Sequence, residues 1–234
     1  MTRIKRVLGG FRQQVYDAAL LRRRQKNFDQ QLAAARPGAI RVQIGSGRRL
    51  LPGWINTDVS WYSPAHLDLL QPWPVPPGSV QFVFGDNVIE HLRLDEGRIA
   101  LRHIHRAMAP GGVLRLATPD VEASARSYLE NGELARQGIL RSAELGRAID
   151  HPVQLLAQVY VGSGHYLGFC YDYPALAAEL EAVGFVVQRC ATGESEYPEL
   201  QGLRPGPIRP SRLPSCASRR SSFLAPGPVN AAGR

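Results

Sequence analysis

Ile40-Arg41-Val42-Gln43-Ile44-Gly45-Ser46-Gly47 opens the central part of this 234-residue chain. Its first five residues alternate apolar and polar before a G-x-G turn, the pattern of a strand running into a tight glycine loop. Trp54-Ile55-Asn56-Thr57-Asp58-Val59 reads as a second strand, and His66-Leu67-Asp68-Leu69 as a short third. A proline-rich loop (Pro72, Pro74, Pro76, Pro77) leads to a fourth, Val80-Gln81-Phe82-Val83-Phe84. The spacing predicts a helix over 95–109, with Gly97, Ala100, Leu101, Ile104 and Met108 on one face and Pro110-Gly111-Gly112 ending it. Val113 to Thr118 is a fifth strand closed by Pro119-Asp120, and residues 121–158 read as mainly helical, broken near Asn131-Gly132 and at Pro152. A helix from Tyr173 to Val183 stops at Gly184, where Phe185-Val186-Val187 begins a sixth strand. Strands alternating with helices predict an α/β fold: a mostly parallel sheet with helices on both faces.

Composition bounds the function. The chain is 44% apolar and 21% charged, as in ordinary globular proteins, and its length suits one large domain. No apolar run approaches the 18 or so residues of a membrane span. Three cysteines, Cys170, Cys190 and Cys216, at no short spacing argue against a disulfide framework or a zinc cluster. The N-terminus lacks the apolar core and cleavage site of a secretory signal, so a cytoplasmic location is expected, and no metal.

The net charge of +8 belongs to the two ends. Residues 1–36 carry nine Lys or Arg against two acids, and residues 201–234 six Arg and no acid, whereas residues 37–200 hold 13 basic and 18 acidic residues. A duplex binder needs its charge on the folded face, so no specific nucleic-acid partner is expected. Residues 3–35 read as a helix whose Ile4, Leu8, Phe11, Val15 and Ala19 form an apolar stripe. Such a helix either packs on the domain, lies on an anionic membrane as a peripheral contact or docks a partner. From Arg204 to Arg234, 20 of 31 residues are Pro, Ser, Gly or Arg, which predicts a disordered tail. The expected organisation is therefore a basic helix (1–36), a ligand-binding domain (37–203) and a tail (204–234).

In an open α/β sheet, ligands sit beyond the carboxyl ends of the strands near the point where strand order reverses. Gly45-Ser46-Gly47 should lie there, since glycines let the backbone bend and approach a ligand closely. Asp58, at the tip of the second strand, can accept both hydroxyl hydrogens of an adenosine ribose. Ten residues separate Gly47 from Asp58, against about 20 in the dinucleotide fingerprint. Pro52 and Gly53 fall within them, so no helix N-terminus is placed to cradle a pyrophosphate. A nucleoside without phosphates fits better.

Val42 to Glu122 resembles the core of the class I S-adenosylmethionine-dependent methyltransferases, specifically small bacterial enzymes of the "type 11" kind. The resemblance rests on Gln43-Ile44-Gly45-Ser46-Gly47, Pro52-Gly53-Trp54-Ile55-Asn56-Thr57-Asp58 and Leu67-Asp68-Leu69. It extends through Asn87-Val88-Ile89-Glu90-His91-Leu92 and His105-Arg106-Ala107-Met108-Ala109-Pro110-Gly111-Gly112-Val113-Leu114. It implies a Rossmann-like fold and S-adenosylmethionine as cofactor. Gly45, Ser46 and Gly47 would then line the methionine end and Asp58 would bind the ribose. Asp68 and Leu69 would flank the adenine, and Asp86 and Asn87 would close the pocket beside the sulfonium. Read locally, Asp68 is equally a turn residue and Glu90 a helix cap. Gln81 departs from the family, where aspartate is common.

Gly164-His165 and Tyr171-Asp172-Tyr173 resemble an acceptor-side segment of some of these enzymes. His91 and His165 are candidate bases, although lone loop histidines more often serve as hydrogen-bonding fixtures. His103 and His105, two apart on a helix, face different ways and form no metal pair. The family fold ends with a seventh strand lying antiparallel between the fifth and sixth, and residues after 200 offer no evident apolar run for it. The sheet either lacks that strand or its terminus is altered. The implied activity is methyl transfer to an oxygen or nitrogen of a small-molecule, weakly sugar-like, acceptor. The alternatives are a nucleotide-sugar or nicotinamide enzyme on a related fold, and a non-catalytic cofactor-binding scaffold whose basic ends contact RNA or membrane. Oligomeric state is not legible.

Overall fold

Strands form where apolar runs can be buried on both sides. The computed structural model describes residues 2–36, 38–130, 136–137, 151–157, 160, 167–191, 193–203 and 221–226, with residues 2–16, 155, 157 and 221–226 by their backbone alone. Its elements are α1 (Thr2–Ala34), β1 (Ile40–Ile44), β2 (Ile55–Asp58), β3 (Ala65–His66), β4 (Val80–Asp86) and a 3-10 turn (Ile89–His91). Then follow α2 (Leu94–Ala107), β5 (Met108–Thr118), α3 (Val121–Leu129), α4 (Val153–Ala157), α5 (Tyr173–Ala182), β6 (Gln188–Cys190) and β7 (Ser221–Pro226). The sheet runs β3-β2-β1-β4-β5-β7-β6. β1 to β5 pair in parallel, and β7 pairs antiparallel with both β5 and β6. This is a Rossmann-like α/β sheet with its order reversing between β1 and β4.

Two apolar clusters flank the sheet. Alternate residues of the central strands, among them Val42, Ile44, Val83 and Leu114, pack with Leu101 and Ile104 of α2 and Leu176 and Leu180 of α5. Phe84 and Val113 join Leu51, Trp54 and Leu200 in the second cluster. The predicted inner face of α2 is borne out, since Gly97, Ala100, Leu101 and Ile104 are all buried. Met108, expected on that helix, is instead the first residue of β5, buried beside Val80.

Three expectations are corrected. The seventh strand exists: Ser221–Pro226 pairs Val113↔Pro226 through Thr118↔Ser221 on one side and Gln188↔Leu224 to Cys190↔Ser222 on the other. Residues 204–234 are therefore not wholly a tail outside the domain. Their composition hid Phe223-Leu224-Ala225, a short apolar run that suffices where two strands already offer unpaired backbone on both sides. β6 also begins at Gln188 rather than Phe185. Phe185 is spent on α2, edge-on to His105 at 5.1 Å, while the register to β7 defines where pairing starts. Pairing of β3 is confined to Ala65 and His66, because Asp68 accepts from the Leu70 amide and turns the chain.

Helix α1 packs through a different face from the expected stripe. Arg24, Asn27, Phe28, Gln31 and Leu32 recur at the three- and four-residue spacing that aligns side chains along a helix, and Arg24 and Phe28 are buried. Burying Phe28 against the core contributes about 1.5–3 kcal/mol. Ala19, the last residue of the expected stripe, is exposed. Ile4, Leu8, Phe11 and Val15 fall where only the backbone is described. No helix among the described residues is long and apolar enough to cross a membrane.

Candidate cofactor-binding site

The carboxyl ends of β1, β2 and β4 meet at the reversal of strand order. Pairing of Ile44 with Gly85 brings the chain leaving β1 beside Asp86, and Gln43 pairs with Asn56, two residues before Asp58. Gly45 and Gly47 both adopt left-handed backbone, at φ +58° and +53°. Their surroundings differ. A Cβ on Gly45 would run into the Val88 side chain, whereas a Cβ on Gly47 would meet nothing within 4 Å. Gly45 is thus a packing requirement, and Gly47 borders open space.

Ser46, expected to line the pocket, turns inward. Its amide donates to Thr57 O at 2.9 Å, and its hydroxyl lies 2.8 Å from that of Ser63, which itself donates to Asn56 O. Of the three loop residues, Gly47 alone faces open space. Its amide donates to Asp58 Oδ2 at 2.8 Å, and the Ser60 amide donates to Asp58 Oδ1 at 2.7 Å. Each carboxylate oxygen retains a second lone pair, so the fixed carboxylate can still accept two hydroxyl hydrogens.

Asp86 lies 3.9 Å from Arg49 Nη1, with its side chain only 14% exposed. Asn87 holds φ +54°, unusual for a residue with a side chain, and its amide donates to Ala117 O at 2.8 Å. Asp68 has the turn role its local reading allows, and Leu69 is buried, its carbonyl 3.0 Å from His103 Nδ1. His103 and His105 do diverge, since His105 packs on Phe185.

His91 ends the 3-10 turn after β4. Desolvation lowers the pKa of its imidazole below the usual value, opposed by the nearby Asp58 carboxylate. The shift favours the neutral imidazole. Glu90 beside it is buried, and Gly168 packs so tightly on the Glu90 carbonyl that no side chain would fit there. His165 and Gly164 lie outside the described residues. Tyr171 is buried under α2, where Gly97 leaves room for its hydroxyl, and burial pushes its pKa up to about 12. Asp172 caps α5 by accepting from the Ala175 amide, and Tyr173 lies under the Arg189 guanidinium.

One site residue escaped the sequence reading. Arg24 of α1 donates from Nε to Ser63 O at 2.9 Å, from Nη1 to Val59 O at 3.3 Å, and from Nη2 to Asp58 O at 2.7 Å. The same Nη2 also reaches Ser60 O at 2.6 Å and Ala65 O at 3.3 Å. A single guanidinium thereby gathers the loop that follows Asp58. It is the third of three consecutive arginines, and only its four-residue spacing to Phe28 sets it apart.

No family model and no curated protein matches the chain. Among solved structures it is similar to the CurJ carbon methyltransferase, at 12% identity and TM-score 0.48, over 84% of this chain and 51% of that one. It spans about half the length of that structure and of the citrinin polyketide synthase methyltransferase domain. A SAM-dependent methyltransferase from Thermotoga maritima is similar over 94% of this chain and 96% of its own, at 13% identity and TM-score 0.47.

Proposed function

We propose that the chain is an S-adenosylmethionine-dependent methyltransferase acting on an oxygen or nitrogen of a small-molecule, sugar-like acceptor. The observation that carries this reading is the Asp58 carboxylate, fixed at the tip of β2 by the Gly47 and Ser60 amides. It stands next to the open side of Gly47. The segment from Gly47 to Trp54 contains no helix, so nothing there is built for a pyrophosphate, and S-adenosylmethionine has none. These residues fit the cofactor.

When bound, S-adenosylmethionine would supply a methyl carbon activated by its sulfonium, open to in-line attack by an acceptor lone pair with S-adenosylhomocysteine as the leaving group. The chain's own part is largely positioning, which supplies much of such a rate. Asp58 would hold the ribose hydroxyls, the backbone at Gly47 would admit the methionine end, and Asp86 and Asn87 would border the reacting side. Neutral His91 would take the proton of a hydroxyl acceptor; an amine acceptor needs no such base.

Titration calorimetry tests this directly. The chain should bind S-adenosylmethionine and S-adenosylhomocysteine and not NAD. Asp58→Ala should weaken binding by about 1.5–3 kcal/mol, the range for hydrogen bonds to a charged group. Tighter binding of NAD would move the chain to the nicotinamide class. A folded Asp58→Ala protein with unchanged affinity would mean another acid holds the ribose.

A further inference from the structure

The loop after β2 presents two adjacent aromatic side chains to solvent. Trp61 is 64% and Tyr62 40% exposed, with ring centroids 4.7 Å apart, and neighbouring Val59 is 60% exposed. Single exposed apolar residues need no explanation, but a contiguous group beside cations does. The Arg48 guanidinium lies 4.8 Å from the Tyr62 ring centroid. Across a cleft of about 610 Å³, Arg23 and Lys26 of α1 face Trp61 and Tyr62, and no carboxylate is among the described residues that line it.

This loop is not a loose tip. Arg24 ties its carbonyls to α1, the Asn27 amide nitrogen donates to Pro64 O at 2.9 Å, and Ser63 is buried against Ser46. The aromatic pair is therefore held in place, and little ordering entropy would be lost on binding. The helix that supplies the cations continues without a break to Thr2. Before Asp17 it carries Arg3, Lys5, Arg6 and Arg12 and no acid, interleaved with Ile4, Leu8, Phe11 and Val15. Between Asp17 and Asp29 it carries four more cations and again no acid.

We propose that this face, α1 together with Trp61 and Tyr62, docks on an anionic phospholipid surface. Trp and Tyr favour the headgroup layer, where an apolar ring meets a polar edge, and cations along an amphipathic helix add attraction to lipid phosphates. Arg23, Lys26 and Arg48 take the phosphates, and the two rings enter the headgroup region. The proposal is independent of the methyl-transfer reading, since it uses no residue assigned to the cofactor.

The chain's three tryptophans make the test specific. Trp54 and Trp73 are 7% and 2% exposed, so lipid-dependent fluorescence changes report on Trp61. The full chain should sediment with vesicles of phosphatidylcholine containing about one-third phosphatidylglycerol and not with phosphatidylcholine alone, with binding weakened by salt. Lipids brominated in their acyl chains should quench its fluorescence. Arg23→Glu with Lys26→Glu should lower vesicle affinity by roughly tenfold or more. Trp61→Ser with Tyr62→Ser should lower the fraction that sediments with the anionic vesicles while leaving the melt and the cofactor titration unchanged. Equal binding to both vesicle types, binding without quenching, or preferential capture of single-stranded RNA through the same aromatic and basic residues would each overturn the proposal.

Discussion

Arg24→Ala should lower the unfolding free energy by about 3–5 kcal/mol, since a hydrogen bond to a charged group contributes about 1.5–3 kcal/mol and several are lost at once. For a domain of this size that is roughly 6–20 °C in melting temperature. The alanine removes the guanidinium that five carbonyl oxygens now share, in a region where Arg24 itself is only 6% exposed. Burial pulls the guanidinium pKa down, opposed by the Asp58 carboxylate. Arg24→Lys should recover only part of the loss, because an ammonium cannot reproduce the planar fork. The same variants should bind the cofactor more weakly, since Asp58 and Ser60 belong to the loop. Thermal melts and calorimetry on all three proteins check this. A melt within two degrees of the parent would show that the loop stands without α1.

The second large effect separates two glycines that look equivalent in the sequence. Gly45→Ala places a methyl 3.1 Å from Val88 Cγ1 and closer still to Cγ2, on backbone already in the left-handed region. Overpacking and the left-handed conformation together cost about 2–5 kcal/mol. Gly47→Ala meets no neighbour, so only the conformational part remains, about 1–2 kcal/mol. Its methyl would instead enter the space assigned to the methionine end and weaken cofactor binding about tenfold or more. Urea unfolding and titration of both variants should therefore give opposite rankings: Gly45→Ala the less stable, Gly47→Ala the poorer binder among folded proteins. Equal cofactor affinity in Gly47→Ala and the parent would remove this loop from the pocket.

The contrast also shows what the sequence makes legible. β1, β4 and β5 were readable because parallel strands covered on both faces need apolar runs, and few other segments supply them. The place of Asp58 was readable because it closes such a run at a fixed distance from a glycine pair. Ser46 shared the loop but not the role, since which way its hydroxyl turns depends on Ser63, 17 residues away. β7 was missed for a related reason. Phe223-Leu224-Ala225 is too short to stand out, and its strand character comes from the gap between β5 and β6. Arg24 was hidden by its neighbours Arg22 and Arg23, both exposed. Local pattern identifies elements; it does not say which of three identical side chains is drawn inward.

The guanidinium of Arg24 belongs at once to the edge helix and to the loop that shapes Asp58. Two processes that share one set of hydrogen bonds are coupled, and the coupling is reciprocal. A ligand that needs the ordered loop adds its own binding energy to the attachment of α1. Conversely, any force that peels α1 from the sheet edge loosens the ligand by the same free energy. The helix is in that sense a handle on the site: amide exchange at its last turns reads out occupancy of a pocket that the helix lines only through the loop it braces.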